Sequence, residues 1–188
     1  MVFLVLLYRR LRFGYPYRRI ALTKGKFAIV DPEDYHRLRK YKWYAHNSRY
    51  TFYAVLSLTN GKKQKRKNAY MHHLVIDIPD GMYCDHINHN GLDNRKANLR
   101  PATNTQNVWH RRKFIRRTSG GFNKQFRSKY KGVDWAKDMK RWRARIRVNG
   151  KRIYLGSFDN ESDAAKAYDK AAKRFHGEFA FLNFSDTD

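Results

Sequence analysis

Apolar and polar residues alternate most regularly near the end of the chain. In residues 141–148, RWRARIRV, every second position is apolar and the positions between carry arginine. Because successive side chains of a β-strand point to opposite faces, this pattern predicts a strand with one apolar and one basic face. The Asn149-Gly150 pair that follows is typical of a two-residue hairpin turn. Residues 151–158, KRIYLGSF, predict the returning strand.

The open face of this predicted hairpin is strongly basic. It carries four arginines and one tyrosine: Arg143, Arg145, Arg147, Arg152 and Tyr154. A solvated sheet face is the simplest interpretation, but such faces normally mix charges and use Thr, Lys and Glu. Arginine suits bidentate contacts with guanine edges and phosphates, and a two-stranded ribbon fits the major groove of DNA. The pattern therefore favours DNA recognition.

An alanine-rich segment after the hairpin predicts a helix that packs against the apolar face. Asn160 is suited to the N-cap, with Asp163 three residues on, and Gly177 is suited to the C-cap. Between them, small residues and two aromatic ones recur at helical spacing: Ala164, Ala165, Ala167, Tyr168, Ala171, Ala172 and Phe175. Because alanine side chains are short, such a helix can lie close to its sheet.

Residues 20–80 have the pattern of several short strands. Residues 25–31, GKFAIVD, alternate loosely, and residues 49–58, RYTFYAVLSL, are β-branched and aromatic with an Asn-Gly turn after them. Residues 68–76, NAYMHHLVI, predict the return strand. The basic run at residues 62–67 lies at or just after the hairpin tip, either as a solvated loop or as a phosphate contact. The apolar opening, MVFLVLL, predicts a terminal strand or a packed tail.

The centre of the chain concentrates polar residues around one glycine. Residues 82–86 predict a strand, a loop rich in Asn, Asp and His follows, and NLRPAT predicts a short return strand. Thr103 and Gln106 form a capping-box pattern at the start of a helix, NTQNVWHRRK. The predicted order is strand, loop, strand, helix, with the polar groups gathered at the loop.

The net charge narrows the range of functions. Among 188 residues, 41 are Lys or Arg and 16 are Asp or Glu, which gives a formal charge of +25. Self-repulsion at that charge opposes a compact state, so a polyanionic partner is expected. Aromatic residues make up 15% of the chain and lie between the basic ones, which favours folded nucleic-acid-binding surfaces over a disordered tail. The alternatives are a merely solvated basic surface and binding to an anionic membrane.

Cysteine content and the N-terminal segment bear on the compartment. With one cysteine, Cys84, the chain has no intramolecular disulfide framework and no cysteine-rich zinc finger, which suits a reducing compartment. The apolar opening is too short to span a bilayer, and the basic segment and cleavage site of a secretory signal are not visible around it. We expect a monomer in the cytoplasm, with no membrane or protein partner.

Four interpretations compete for the central cluster. The first is a structural zinc site from Cys84, Asp85, His86 and His89, although such sites usually depend on spaced cysteine pairs. The second is ordinary turn chemistry, in which Asn, Asp and Gly are common. The third and fourth are a nuclease core, either inactive or active with a metal. The basic charge and the arginine face favour a nuclease, because DNA is a phosphodiester.

Phosphodiester hydrolysis requires three kinds of group. Histidine is a suitable general base near pH 7, and Asp and Asn oxygens suit Mg²⁺ at the scissile phosphate. A hydrogen-bond acceptor then orients the base. Asp85 and His86 are adjacent, so they serve one site only where the strand ends or twists. Of His72 and His73, one faces the core side, and packing or a phosphate contact is expected there before metal binding.

The C-terminal segment resembles a known DNA-binding family. YKGVDW, the stretch from Trp142 to Gly177, and LNF are similar to the Apetala-type domain of plant ethylene-response factors. The resemblance implies a three-stranded antiparallel sheet with one helix behind it, and the sheet reads the major groove. Five positions match DNA contacts: Lys131, Arg145, Arg147, Arg152 and Tyr154. Asp134 falls where plant members often have arginine, and the plant Pro-Trp-Gly is missing, so base preference does not transfer.

The central segment resembles a nuclease family. Residues 84–107, CDHINHNGLDNRKANLRPATNTQN, are similar to the His-Asn-His (HNH) motif of phage and intron-encoded homing endonucleases. Residues 22–45 and 70–75 are similar to the leading segments of such proteins, and an Apetala-type domain is a recurrent C-terminal partner in that group. The resemblance therefore extends over nearly the whole chain.

This second resemblance implies roles for individual residues. His86 matches the general base, Asp85 the first metal ligand and Asn107 the second metal ligand. Asn98 matches the central asparagine that orients the motif. His89 stands where an acidic residue is common, and we expect it to alter loop contacts rather than the metal.

Together these features predict an α+β chain in four parts. The parts are an N-terminal tail (1–19), a β-rich segment leading into a ββα-metal HNH nuclease domain (20–110), a basic linker (111–128) with a flexible middle, and the Apetala-type domain (129–184). We predict a site-specific endonuclease that cuts double-stranded DNA in a bacterial or phage-infected cell, with one Mg²⁺ or Mn²⁺ per active site. The alternative is a non-catalytic DNA-binding regulator with a vestigial nuclease core. Three retained residues favour the enzyme: Asp85, His86 and Asn107.

Overall fold

The computed structural model describes three stretches of the chain: residues 2–58, 67–113 and 128–184. The chain forms two compact units, with the division between Asn104 and Thr105. Both units mix helix and strand, which confirms the predicted α+β class. Residues 62–66 of the basic run and residues 114–127 of the predicted linker lie outside the described stretches. The predicted domain boundaries stay predictions.

The first unit opens with an exposed helix. α1 spans Val2–Phe13 and buries none of its residues, so the predicted terminal strand or packed tail was wrong. Leucine and arginine favour a helix, and neither Gly nor Pro interrupts the run before Gly14. Gly14 has a φ of 78° and donates its backbone N–H to the Arg10 carbonyl at 2.9 Å, which ends the helix. Neither α1 nor another helix in the described stretches has the length and apolar character needed to cross a bilayer.

Short antiparallel strands make up most of the first unit. Its next elements are β1 (Arg18–Ala21), β2 (Phe27–Val30), α2 (Pro32–Leu38), β3 (Tyr44–Asn47), β4 (Phe52–Leu58) and β5 (Lys67–Tyr70). β1 pairs with β2, and β3, β4 and β5 form one sheet, so the strands predicted at residues 25–31 and 49–58 are present. The core contains Ile20, Ala28, Val30, Leu38, Trp43, Ala54, Met71, Val75 and Leu99.

The return strand predicted at residues 68–76 is shorter than expected. β5 ends at Tyr70, and a 3₁₀-helix, Met71–Leu74, takes the place of the remainder. Met71 and His72 are consecutive and both buried. A strand turns consecutive side chains to opposite faces, so it cannot bury both on one side; the tighter helical turn can.

A hairpin and a helix follow in the predicted order. β6 (Tyr83–His86) pairs with β7 (Leu99–Ala102), and a short 3₁₀-helix, Lys96–Asn98, leads into β7. α3 (Asn104–His110) begins two residues after β7. From Thr105 onward α3 belongs to the second unit.

The second unit is a three-stranded antiparallel sheet with one helix. Its elements are β8 (Val133–Ala136), β9 (Arg141–Val148), β10 (Lys151–Phe158) and α4 (Glu161–His176). β9 is the central strand. Ala144 and Ile146 of β9 and Val133 of β8 pack against the alanine stripe of α4. The buried residues form two adjoining clusters, to which α4 contributes Ala164, Ala165, Tyr168, Ala171 and Ala172. This architecture confirms the fold that the Apetala resemblance implied.

Two local features of this unit follow directly from the sequence, and a third differs from what the sequence predicts. Asn149 and Gly150 both have positive φ values, 48° and 76°, as a type I′ hairpin turn requires. A Cβ on Gly132 would lie 1.9 Å from the Tyr168 ring, so only glycine fits there. Asn160 occupies the N-cap of α4, but its side chain donates to Asp163 Oδ2 at 3.2 Å and does not cap the backbone.

The LNF segment ties the end of the unit to its beginning. The Asn183 side chain accepts a hydrogen bond from the Lys131 backbone N–H at 2.6 Å and donates to the Lys131 carbonyl at 3.1 Å. The buried Asp169 carboxylate on α4 accepts the backbone N–H groups of Asn183 and Phe184, at 2.9 and 3.0 Å. These bonds join the YKGV and LNF segments in the folded unit.

Candidate active site and DNA-contact surface

The loop between β6 and β7 is held by buried polar side chains. Asn98 is 6% exposed, accepts the Asn88 backbone N–H at 2.9 Å and donates to the Asp93 carbonyl at 2.8 Å. The Asp93 carboxylate accepts a hydrogen bond from the Asn88 amide at 2.8 Å, and it accepts Nε and a terminal nitrogen of Arg95, along one edge of the guanidinium, at 2.8 and 2.6 Å. These contacts brace the loop from within, and the orienting role of Asn98 stays a prediction.

The same loop contacts strands that come earlier in the first unit. Asn94, which is fully buried, donates its backbone N–H to the Ile29 carbonyl of β2 at 2.7 Å. A Cβ on Gly91 would lie 2.6 Å from the Phe52 carbonyl oxygen and 2.6 Å from the Tyr53 ring, so the loop glycine permits close approach to β4. His89 adopts the left-handed region with a φ of 61°, and its expected effect on loop contacts stays a prediction.

His86, the predicted general base, is buried at the end of β6. It is 5% exposed, and its ring lies 5.1 Å from the His72 ring and 5.7 Å from the Tyr53 ring. Burial lowers its pKa below the usual range, although the Asn94 amide and two carboxylates, those of Asp85 and Asp93, offset part of that effect. Its Nε2 atom has no hydrogen-bond partner within the described stretches. The imidazole is therefore neutral near pH 7 and keeps an acceptor nitrogen for a proton.

Asp85, the predicted metal ligand, lies opposite Arg100 on the neighbouring strand. The β6–β7 register pairs the two residues, and Arg100 Nε donates to Asp85 Oδ2 at 2.9 Å. Both side chains are largely buried, with exposed fractions of 6% and 12%. His86 and Asp85 contact different neighbours, as adjacent strand residues do. The sequence contains both partners of the Asp85–Arg100 pair, but it does not show the register that joins them.

His72 is a site residue whose position the sequence did not reveal. The ligand-capable atoms of His72, Cys84 and His86 all lie within 4.8 Å of one another. Burial and two neighbouring histidines, His86 first and then His73, lower the pKa of His72 to about 2, and burial raises the pKa of the Cys84 thiol to about 12. Both side chains are thus neutral and packed behind His86, as expected for His72. The zinc set of Cys84, Asp85, His86 and His89 is not assembled within the described stretches.

Asn107, the predicted second metal ligand, lies on α3 and is half-buried. The helix is anchored within the second unit at its C-terminal end. Trp109 stacks on the His176 ring of α4 at 4.3 Å with an interplanar angle of 11°. Beyond the helix, the Lys113 amine donates to the carbonyls of Tyr130 and Val133 at 2.7 and 3.1 Å. Asn107 is therefore carried by an anchored helix, and its role as a ligand stays a prediction.

Lys131 is one of the predicted DNA contacts, but its ammonium group is hydrogen-bonded at the C-terminal end of α3. Its ammonium group donates to three backbone carbonyls, those of Val108, Trp109 and Arg111. Burial, with a smaller effect of the Arg111 charge, lowers its pKa to about 8. All three N–H bonds thus face the end of a helix, where a cation is stabilised. This position indicates a capping role, and the DNA contact stays a prediction.

The other predicted DNA contacts share one face of the sheet. The register places Arg147 opposite Arg152 and Arg145 opposite Tyr154. Arg147, Arg152 and Tyr154 are exposed, whereas Arg143 and Arg145 are half-buried and form ion pairs with Asp134. The structure confirms that the predicted arginines share one face of the sheet. The sequence did not reveal the ion pairs of Arg143 and Arg145 with Asp134.

Two parts of the chain match known protein families. Residues 77–108 match the HNH endonuclease family, and residues 128–178 match the AP2 domain. An uncharacterized HNH endonuclease of Acanthamoeba polyphaga mimivirus is 34% identical over 165 residues, which are 87% of this chain and 78% of that protein. Protein 3.8 of Escherichia phage T7 is 33% identical over 103 residues, 55% of this chain and 77% of that protein. The chain belongs to the HNH endonuclease family.

The C-terminal matches are to parts of plant proteins. APETALA2-like protein 2 of Oryza sativa is 47% identical over 61 residues, which are 32% of this chain and 14% of the plant protein. An AP2-like ethylene-responsive transcription factor of Arabidopsis thaliana is 50% identical over 72 residues, 37% of this chain and 12% of that protein. The protein is thus an HNH endonuclease with an AP2-type domain, and DNA is its partner. Members of the HNH family generally use a divalent metal.

Proposed function

We propose that this protein is a site-specific DNA endonuclease in which His86 acts as the general base. The observation that carries the proposal is the state of that side chain: a buried, neutral imidazole at the end of β6, whose Nε2 has no partner within the described stretches. A base that is neutral near pH 7 accepts a proton from water without first losing one. The hairpin that holds it lies within the matched HNH segment.

The donor chemistry fits a hard divalent cation. Asp85 offers a carboxylate oxygen and Asn107 an amide oxygen, and oxygen ligands suit Mg²⁺ or Mn²⁺. One ion per active site would be held by these two side chains together with the substrate phosphate. When bound, such an ion supplies positive charge that stabilises the scissile phosphate and the leaving oxygen.

The remaining side chains of the hairpin position these groups. The Arg100 guanidinium holds Oδ2 of Asp85, which limits rotation of the carboxylate. His72 and Tyr53 pack against the His86 ring, and Asn98 braces the loop that begins after His86. In the proposed reaction, His86 removes a proton from the attacking water. Neighbours that hold the imidazole in place favour that step, because a displaced base lowers the reaction rate.

Sequence recognition is assigned to the C-terminal sheet. Its arginine face carries Arg143, Arg145, Arg147, Arg152 and Tyr154, and guanidinium groups form bidentate contacts with guanine in the major groove. The basic segment between the AP2-type unit and α3 adds positive charge along the DNA backbone. A single chain contains both a cutting and a reading unit, so we propose that it acts as a monomer on double-stranded DNA.

The alternative is a DNA-binding regulator with an inactive nuclease core. One experiment separates the two: purified full-length protein is incubated with a plasmid library with and without Mg²⁺ or Mn²⁺, and the product ends are mapped. We expect metal-dependent ends that cluster at a shared sequence. Retarded but uncut plasmid in both metals would support the regulator, and cutting without shared ends would remove site specificity from the proposal.

A further inference from the structure

One carboxylate lies in the middle of the arginine face. Asp134 on β8 stands opposite Arg143 on β9. Its Oδ2 accepts a hydrogen bond from Arg143 at 2.7 Å, and its Oδ1 accepts Nε and a terminal nitrogen of Arg145 at 3.0 and 2.6 Å. Two of the five side chains predicted to contact DNA on this face are therefore held by a single acidic residue.

The carboxylate is charged despite its partial burial. Burial raises the pKa of Asp134, but hydrogen bonds from Arg143 and Arg145 and their positive charges together outweigh it, so the pKa lies below its usual range. A negative charge at this place weakens attraction to DNA phosphates. The chain has a formal charge of +25, and an acidic residue on its DNA-contact face therefore does not increase the affinity for DNA.

Folding stability does not explain the arrangement either. The Asp134 side chain is 36% exposed, and those of Arg143 and Arg145 are 27% and 28% exposed. Ion pairs with this exposure contribute little to stability, because water screens them and ordering long side chains costs entropy. What the pairs do supply is orientation: two bonds from one edge of the Arg145 guanidinium hold its plane, and one bond holds a terminal nitrogen of Arg143.

The geometry leaves the other edge of Arg145 available. Nε and one terminal nitrogen bond to Asp134, so the edge formed by the two terminal nitrogens is not used in this ion pair. That edge is the one that fits the O6 and N7 atoms of guanine. By contrast, Arg147 and Arg152 on the same face are exposed and have no acidic partner within the described stretches.

We propose that Asp134 is a specificity-determining residue that divides the arginine face into two functions. It holds Arg143 and Arg145 for contacts with base edges and lowers affinity for DNA that does not offer those contacts. Arg147 and Arg152, which lack such a partner, contact phosphate. This inference rests on the proposed reading of DNA by the C-terminal sheet.

The test uses the full-length chain in EDTA, so that binding is measured without cleavage. Binding selection on randomised duplexes at two salt concentrations is compared for the unsubstituted protein and Asp134→Asn. We expect the variant to lose about tenfold of its base preference at the positions read by Arg143 and Arg145. Its affinity for random-sequence DNA should rise, with a salt slope steeper by about one unit.

A matched control separates orientation from charge. Asp159 also pairs with an arginine, through Arg141 Nε and a terminal nitrogen at 2.9 Å each, and it is 80% exposed. Asp159→Asn makes the same change of charge, so we expect a small gain in random-sequence affinity and an unchanged base preference. Asp134→Glu keeps the charge and should retain most of the preference. Thermal unfolding of each variant checks that the fold is intact.

The outcomes also distinguish this inference from the proposed function. An unsubstituted protein with clear base preference and an Asp134→Asn variant with the same preference would overturn the inference alone. Equal effects of Asp134→Asn and Asp159→Asn on preference would overturn it as well. An unsubstituted protein that shows no base preference would instead overturn recognition by the sheet.

Discussion

The β6–β7 hairpin buries its candidate catalytic groups, whereas the C-terminal sheet leaves most of its candidate DNA contacts exposed. Asp85, His86 and Asn98 are each no more than 6% exposed, while Tyr154 on the arginine face is 54% exposed. Burial allows the hairpin to tune the protonation of a base and to hold it in place. Exposure allows the sheet to meet a large, highly charged partner. The two candidate sites therefore differ in kind: the hairpin holds a few fixed groups, and the sheet presents more accessible ones.

Asp134 gives the C-terminal sheet a feature that the hairpin also has, namely side chains held by ion pairs. It orients arginines through direct ion pairs, as Arg100 orients Asp85 in the hairpin. The pairs on the sheet are more exposed than the pair in the hairpin. Fixed geometry and access to DNA therefore coexist on the sheet.

The largest expected effect comes from removal of the proposed base. His86→Ala should lower the cleavage rate by about 10²- to 10⁴-fold and leave DNA affinity within a few-fold, because a base acts mainly in the transition state. His73→Ala, which alters an exposed histidine in the same unit, is the control. Single-turnover cleavage and binding in EDTA provide the measurements. A His86→Ala protein that cuts at nearly the original rate would show that another group is the base.

The second prediction concerns His72, which packs behind His86, and the pH dependence of folding stability. The folded chain holds His72 at a pKa of about 2, whereas the unfolded chain protonates it below about pH 6.5. The unfolded state therefore binds more protons between these values, and stability falls as the pH falls through this window. Between these two pKa values, His72 changes the free energy of unfolding by about 1.4 kcal/mol per pH unit.

His72→Gln should remove that contribution, so the free energy of unfolding of the variant should fall less steeply from pH 6.5 to pH 4.5. Urea unfolding at several pH values measures the slope. His36→Gln, at an exposed position on α2, serves as the control and should keep the original slope. Identical slopes in all three proteins would mean that His72 is protonated in the folded chain.

The third prediction separates two neighbouring arginines on the sheet. Arg145→Ala should relax base preference at one or two adjacent positions by about 1–3 kcal/mol, because a bidentate base contact is lost. Arg147→Ala should weaken binding to all sequences alike and lower the salt slope by about one unit. Binding selection and salt titration distinguish the two results. The reverse pattern would assign base reading to the exposed arginine and phosphate contact to the held one.

The smallest effect is expected at Lys131. Lys131→Met should lower the free energy of unfolding by about 1 kcal/mol through loss of a cation at the end of α3, with little change in the salt slope of DNA binding. Lys137→Met, on the exposed turn before β9, is the control for lost charge. A fall of about one unit in the salt slope for Lys131→Met, with unchanged stability, would instead support the phosphate contact implied by the family resemblance.

Local patterns were sufficient to predict β9, β10 and α4 of the second unit, whereas the third strand of its sheet was implied by the family resemblance. The strict alternation in residues 141–148, the Asn149-Gly150 turn and the alanine stripe of α4 each depend on neighbours in the chain. Their periods therefore remain visible in the sequence. The same holds for the strand, loop, strand, helix order around His86. By contrast, the exposed helix at Val2–Phe13 and the 3₁₀-helix at Met71–Leu74 depend on how much apolar surface the rest of the fold can cover, which local pattern does not reveal.

The candidate site residues could be picked out from the sequence, but their contact partners could not. Asp85 and His86 stand out in the sequence because of the HNH motif, but the approach of His72 to His86 joins segments 14 residues apart through the packing of a turn against a hairpin. The Arg100 partner of Asp85 depends on strand register, and the pairs of Asp134 depend on the β8–β9 pairing. Contacts of this kind arise from long-range pairing, whose geometry is set by the whole core, so they became apparent only in the folded chain.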